Sequence, residues 1–231
     1  MNPKWVLEEV THFFYPNCCV ICKSKLLHTE QDVCLQCLYN LPKTNNYKEI
    51  NNLGEILLAG RFPFQRVASF AFFTKDGLLQ TLIHELKYNH KPRIGNLLGA
   101  IYGIDLQGSS FLKPIDVIVP VPLHPKKKIT RGYNQAEAFA KGLSQSTSIP
   151  VSVDELVRLI NNPTQTKRSK TQRWENVKGI FGVKDAEIFQ NKHVLLVDDV
   201  ITTGSTLEAC ANALLECKNI QISIATIGKA L

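Results

Sequence analysis

One segment of this 231-residue chain gathers groups that can do chemistry: Val194-Leu-Leu-Val-Asp198-Asp199-Val-Ile-Thr202-Thr203-Gly204-Ser205-Thr206. A run of buried-strand type delivers two adjacent carboxylates, a turn of small hydroxyl residues and Gly follows, and a helix then begins. Backbone N–H groups at such a turn and helix start, with the hydroxyls of Thr202, Thr203, Ser205 and Thr206, form a cup for a phosphate. The turn has no Lys and the chain has no GxxxxGK[ST], which argues against a P-loop nucleotide hydrolase. No GxGxxG marks a dinucleotide site either. Paired acids repel phosphate but accept hydrogen bonds from sugar hydroxyls. The segment therefore asks for a phosphate beside a diol, a ribose 5-phosphate. A purely structural strand, turn and helix with capping Thr and Ser is the competing reading.

A second cluster is sulfur. Five of the seven cysteines crowd near the amino terminus, where Cys19-x2-Cys22 is followed, after eleven residues, by Cys34-x2-Cys37. Two CxxC knuckles present four thiolates that can close on one Zn²⁺. All four ligands would come from the protein, so the site should be structural rather than catalytic. A redox dithiol needs one such pair in another context, and a disulfide is disfavoured in a reducing compartment. Cys18 is the spare, and Cys18-x3-Cys22 is an alternative pairing. Zinc ribbons also dock nucleic acid or proteins, so a docking role stays open. Cys210 and Cys217 read as core or surface thiols.

These residues need elements to position them. Trp5, Val6, Leu7, Val10, Phe13 and Phe14 recur at helical spacing before Pro16. Residues 42–63 are rich in Asn, lack clear periodicity and read as a linker with one short helix near Ile56–Ala59. From Arg66 strands and helices alternate. Val67–Phe73, Asp116–Val121, Leu156–Ile160, Gly179–Val183 and Val194–Val197 read as strands, and Ile220–Ile227 as the strand that closes the sheet. Helices follow Asp76, expected as a cap for the stripe Leu78, Leu79, Leu82, Ile83 and Leu86; Pro92, at a favoured first-turn position; and Asn134. Another follows the hydroxyl-rich turn. The expected fold is α/β, a mainly parallel twisted sheet flanked by helices. The expected division is 1–60 for an amino-terminal helix, four-cysteine zinc module and linker, and 61–231 for the main domain.

The formal net charge is +7, which favours an anionic partner. Residues 126–178 hold 11 basic and four acidic residues and so carry an excess of that same size. The clusters are Lys126, Lys127, Lys128 and Arg131, then Lys167, Arg168, Lys170, Arg173 and Lys178. A solvated surface is the plainer reading of any one basic run. No apolar run approaches the about 18–20 residues of a membrane helix, and the amino terminus lacks a signal-peptide pattern, so the expectation is a cytoplasmic protein without membrane insertion.

The thirteen-residue segment resembles the phosphoribosyl pyrophosphate (PRPP) signature of type I phosphoribosyltransferases. Val119-Pro-Val-Pro-Leu-His124 with Arg131-Gly-Tyr-Asn-Gln135, and Asn162-Pro-Thr-Gln165-Thr with Arg173-Trp-Glu-Asn176-Val, resemble the competence-associated ComF family. The double CxxC completes that family's layout. The resemblance implies a type I phosphoribosyltransferase fold with a small zinc-ribbon hood over the acceptor site. It implies that Asp198 and Asp199 hold the ribose 2′- and 3′-hydroxyls and that Thr202, Thr203, Gly204, Ser205 and Thr206 wrap the 5′-phosphate. Mg²⁺ would be held mostly by the pyrophosphate and ribose oxygens, with the two Asp helping directly or through water. Arg131 and Gly132, with Asn134 and Gln135 beside them, are assigned to the pyrophosphate. Lys170 and Arg173 are assigned there too, on a polar 161–174 loop that fits a lid. Thr164, Gln165 and Asn176 match the family motif without an assigned role. Trp174 is expected to pack in the lid, and His84 and His124 lack a sequential partner. Lys87 and Lys91, near a helix end, are read as serving its dipole.

The expected activity is Mg²⁺-dependent phosphoribosyl transfer, a pentosyl-type glycosyl transfer from PRPP to an unidentified small-molecule acceptor. A glutamine amidotransferase would need an amino-terminal catalytic Cys, and the chain starts Met1-Asn2 with zinc-spaced cysteines. The alternative is a non-catalytic PRPP or nucleotide sensor, or a factor handling single-stranded DNA in the uptake machinery. Its basic stretch would contact phosphates, and competence proteins would be its partners. Only Tyr133 and Trp174 interleave with the basic loops, which weakens a stacking platform. A scaffold joining a competence complex through the zinc module is a further alternative, against which the intact PRPP segment argues.

Overall fold

The β-branched runs and helical stripes of the second half assemble, in a computed structural model describing residues 17–159 and 179–231, around one parallel sheet. In chain order the helices are α1 (Leu35–Tyr39), α2 (Leu53–Leu58), α3 (Leu78–Tyr88), α4 (Pro92–Gln107), α5 (Pro125–Arg131), α6 (Gln135–Thr147) and α7 (Ser205–Leu214). The strands are β1 (Val67–Phe73), β2 (Val117–Pro120), β3 (Leu156–Arg158), β4 (Phe181–Val183), β5 (His193–Ile201) and β6 (Gln221–Ala230). The sheet runs β1-β6-β5-β2 with every neighbouring pair parallel, and β3 pairs antiparallel with β4 apart from it.

Strand alternation sends successive side chains to opposite faces. Leu195 and Val197 of β5 join Phe70, Ile118, Ala225 and Ile227 under α3, α4 and α6. Val194 and Leu196 join Val67, Val119, Ile222 and Ile224 against Leu207, Cys210 and Leu214 of α7. A sheet covered on both faces needs near-continuous apolar strands, which is what β5 and β2 show. The helices α4 and α6 meet closely, and a Cβ on Gly99 would sit 2.3 Å from the Phe139 carbonyl oxygen.

Three expectations change. The last strand does not close the sheet; β6 lies between β1 and β5. Its buried hydroxyls are satisfied sideways, Thr226 with Ser69 at 2.8 Å and Ser223 with the His193 Nε2 at 2.9 Å. Asp76 does not cap α3. It sits in the left-handed region at φ 59°, one residue early, and Gly77 is the cap residue without a side-chain bond. The strand carrying the two acids is also longer than Val194–Val197, so Asp198 and Asp199 lie within β5 rather than beyond it.

The Asn-rich stretch 42–63 is tied to the edge of β1. The Asn52 Nδ2 donates to the Val67 carbonyl at 2.8 Å while its Oδ1 caps α2 through Gly54 N–H at 2.9 Å. Asn46 Oδ1 accepts from Ser69 N–H at 3.0 Å, and Arg66 pairs with Glu55 at 2.8 Å. These contacts are made by polar side chains, amides and one ion pair, which leave no hydrophobic period to read. The cysteine-rich segment shares the larger core: Cys19, Val20, Val33 and Cys37 cluster with Leu41, Tyr47 and Tyr102. The expected helix from Trp5 to Phe14 lies outside the described residues.

Candidate functional site

Strands β2 and β5 are adjacent and parallel, with Pro120 opposite Val197, so the segments leaving their carboxyl ends lie side by side. One is the turn 202–204 that enters α7. The other leads through α5 to α6.

At the first, Asp198 Oδ1 accepts from the Asp199 N–H at 2.8 Å, and Asp199 Oδ1 accepts from the Val200 N–H at 2.6 Å. Burial, then the charge of Asp199 beside it, pushes the Asp198 carboxyl up to about 8; the Asp199 N–H and Lys87 oppose that only in part. The turn comes next. Gly204 takes φ +77° as the residue before α7, a conformation that favours Gly. Thr203 and Ser205 hydroxyls lie 3.2 Å apart. Thr202, Thr203, Gly204, Ser205 and Thr206 line, with Asp198, a cup of about 40 Å³ at the start of a ten-residue helix. N–H groups and hydroxyls there offer donors to an anion, while the Asp198 carboxyl in the lining and the adjacent Asp199 offer oxygens to hydroxyls.

At the second, the basic residues expected in a loop form the helix α5, with no buried residue, closed by Gly132 at φ 74°. Asn134 anchors the start of the next helix: its Oδ1 caps α6 at the Ala136 N–H and its Nδ2 donates to the Val121 carbonyl at 2.9 Å. Arg131 donates to Gln135 Oε1 at 2.8 Å and lies 5.4 Å over the Tyr88 ring. Gln135 is buried, and its Nε2 has no partner among the described residues. Lys87, Tyr88 and His90 from the end of α3 meet Lys126, Lys127, Thr130 and Arg131 around a cavity of about 290 Å³. His124 is the cap residue of α5, its Nδ1 accepting from the Lys126 N–H at 3.1 Å. His84 packs against Tyr88 with ring centroids 4.9 Å apart and the rings tilted by 46°. The expected contacts Lys170 and Arg173, together with Thr164, Gln165, Trp174 and Asn176, lie outside the described residues.

Two residues join this site that the sequence did not assign to it. Lys87, read as serving a helix dipole, places its ammonium 2.7 Å from Asp199 Oδ2. Arg61 donates to the Thr203 carbonyl at 2.6 Å and approaches Glu208 at 3.4 Å, so a cation stands behind a turn that has none of its own. No local signal announces either pairing. Lys91 instead pairs with Glu85 at 3.3 Å and with Asp32 of the cysteine-rich segment at 3.4 Å.

The sulfur cluster closes on Cys19, Cys22, Cys34 and Cys37, all Sγ atoms lying within 4.8 Å of one another, and does not include Cys18. Cys22 and Cys34 Sγ stand 3.7 Å apart. A tetrahedron of thiolates around Zn²⁺ has sulfur–sulfur edges of roughly 3.8 Å, so the four residues fit that metal. The Cys34 and Cys37 N–H groups point at Cys19 and Cys34 Sγ at 3.4 Å, the bonding a thiolate cluster requires. Hydrogen bonds from Ser24 pull Cys22 down to about 6, while burial pushes Cys37 up. The neighbouring Cys34, Cys22 and Cys19 add to the rise at Cys37. Cys210 and Cys217 are both buried. Among the described residues no helix is long and apolar enough to cross a membrane.

Comparison with known proteins adds four findings. The family model described as "Phosphoribosyl transferase domain" matches residues 79–229. The "DNA utilization protein YhgH" of Escherichia coli is 29% identical over 200 residues, covering 85% of this chain and 83% of that one. "Competence protein F" of Haemophilus influenzae is 33% identical over 150 residues, 62% of this chain and 66% of its own length. Among solved structures, the allosteric regulatory enzyme of purine biosynthesis aligns at 21% identity with a TM-score of 0.41, and the chain spans 29% of that protein's length.

Proposed function

This chain belongs to the phosphoribosyl transferase domain family, among relatives that include competence protein F, and from that premise we propose that it binds PRPP and transfers its ribose 5-phosphate to an acceptor, releasing pyrophosphate. The observation that carries the reading is the juxtaposition of three features at the carboxyl end of β5. They are the Asp198–Asp199 pair, the hydroxyl-lined cup beside it, and the cavity ringed by Lys87, Lys126, Lys127 and Arg131.

Each feature answers one part of the ligand. The cup takes the 5′-phosphate, the carboxylates take the ribose hydroxyls, and the cations take the pyrophosphate. In the transfer the C1′–O bond breaks, its electron pair leaves on pyrophosphate, and the acceptor's lone pair forms the new bond to C1′. The ring gains oxocarbenium character while the leaving group gains negative charge, so cations fixed on that side favour the transition state over the ground state. Oxygen donors from Asp198 and Asp199 suit Mg²⁺, which when bound supplies charge neutralisation on the phosphate oxygens. Zinc in the cysteine cluster would be structural, its four thiolates leaving no open position.

The test is calorimetric titration of PRPP with Mg²⁺, followed by pyrophosphate release against pooled bases and amines. Wild-type protein should bind, and Asp198→Ala with Asp199→Ala should abolish binding. No PRPP heat from the wild type overturns the reading.

A second reading is favoured by one observation. Lys126, Lys127 and Lys128 ride on α5, which has no buried residue, and Escherichia coli and Haemophilus influenzae relatives are named for DNA utilization and competence. A factor that binds PRPP without turnover and handles single-stranded DNA would use them for phosphate contacts. It predicts a gel shift that weakens steeply with salt and with charge reversal at those lysines.

A further inference from the structure

Lys87 belongs to both halves of the site at once. It leaves the last turn of α3 and ends 2.7 Å from Asp199 Oδ2, with both side chains largely covered, at 22% and 15% exposure. The same side chain lines the cationic cavity with His90, Lys126, Lys127 and Arg131. Lys126 and Lys127 have no ion pair among the described residues, so Lys87 is the cation of that cavity that already holds a carboxylate. Asp199 is correspondingly engaged on both oxygens, Oδ1 by the Val200 N–H and Oδ2 by Lys87. A lysine ammonium is a compact charge on a flexible stem and can exchange one anion for another nearby. A pyrophosphate entering the cavity offers more negative charge than one carboxylate.

We propose that Lys87 sets the specificity of this site for a pyrophosphorylated sugar phosphate. It occupies Asp199 in the free protein and turns onto the pyrophosphate when one enters, releasing Asp199 to the ribose hydroxyls. A sugar phosphate without pyrophosphate must instead compete with the ion pair for Asp199. The inference rests on the PRPP reading above and concerns how that site selects its ligand.

The experiment compares two probes, PRPP and ribose 5-phosphate, each with Mg²⁺, by calorimetry on the full chain. The proteins are wild type, Lys87→Met, Lys87→Gln and Lys87→Arg, with thermal melting to verify folding. Gln is the second variant because it can still hydrogen-bond Asp199 without a charge. Losing one charged hydrogen bond to pyrophosphate weakens PRPP binding about 10- to 100-fold. Ribose 5-phosphate should bind Lys87→Met several-fold tighter than wild type, with Lys87→Gln between them, so the preference for PRPP collapses; ribose 5-phosphate affinity unchanged in Lys87→Met overturns the exchange at Asp199. Lys87→Arg should restore part of that preference. Equal weakening of both probes, or an unchanged preference, overturns the inference, because the lysine would then only build the site. Wild-type protein that binds neither probe overturns the PRPP reading itself, a result separate from failure of Lys87 alone.

Discussion

Replacing Gly204 with Ala tests whether the phosphate cup is held by the segment before β1. Two costs add. The first is backbone: Gly204 sits at φ +77°, where a Cβ meets the neighbouring carbonyl at about 1–2 kcal/mol. The second is crowding: the new Cβ would lie 2.4 Å from Leu58 Cδ2, and Leu58 of α2 is fully buried, so it cannot move without disturbing its neighbours. Overpacking of that kind costs about 1–3 kcal/mol, for a total of about 2–5 kcal/mol. Leu58→Ala alone should cost about 2–5 kcal/mol through the cavity it leaves. In the Gly204→Ala background that cost should fall by the crowding part, because the new methyl takes up some of the space. Urea unfolding of wild type, both single variants and the double variant measures this, provided the denaturant slope is shared. Additive losses, or a Gly204→Ala loss below about 0.5 kcal/mol, would refute the reasoning, since the turn would then be free to relax. The same substitution should lower affinity for ribose 5-phosphate by displacing the donors of the cup.

The same geometry sets other outcomes. Arg61→Ala frees the Thr203 carbonyl and should weaken ribose 5-phosphate by up to about tenfold by calorimetry, the upper worth of one charge-assisted bond at an exposed site. Asp198 has its folded pKa raised to about 8, so its protonated form contributes stability that is full below the ordinary carboxylate range and is lost as pH rises through about 8. The unliganded protein should therefore lose stability between about pH 5 and 8 in urea unfolding, and Asp198→Asn should flatten that slope. Zinc analysis should find one equivalent of metal. Because the ligands must be thiolates, affinity should fall as pH falls, and Cys37→Ser should abolish stoichiometric binding and lower the melting temperature.

The paired acids, the hydroxyl turn and the two CxxC knuckles were legible because each is a local pattern, with every participant within a few residues of the next. So was the α/β alternation from Arg66 onward, since β-branched runs and helical stripes carry their own periods. The Asn-rich stretch was not. Asn46 and Asn52 act through single amide bonds to the backbone of β1, and a single hydrogen bond has no period. The misplaced cap at Asp76 has a similar cause, because its composition suits a helix start but its backbone was taken by a turn.

The sequence by itself determined which groups are present and the chemistry open to them: carboxylates for hydroxyls, a cup for phosphate, thiolates for zinc. Only the tertiary structure decided which charges meet. Lys87 reaches Asp199, and Arg61 reaches Thr203 from 142 residues away, because α3 and the segment after α2 pack beside the carboxyl end of β5. The high pKa of Asp198 was decided there too, since burial and a neighbouring charge are properties of the packed state. Coulomb energies and desolvation depend on distance in space, and distance along the chain does not report it.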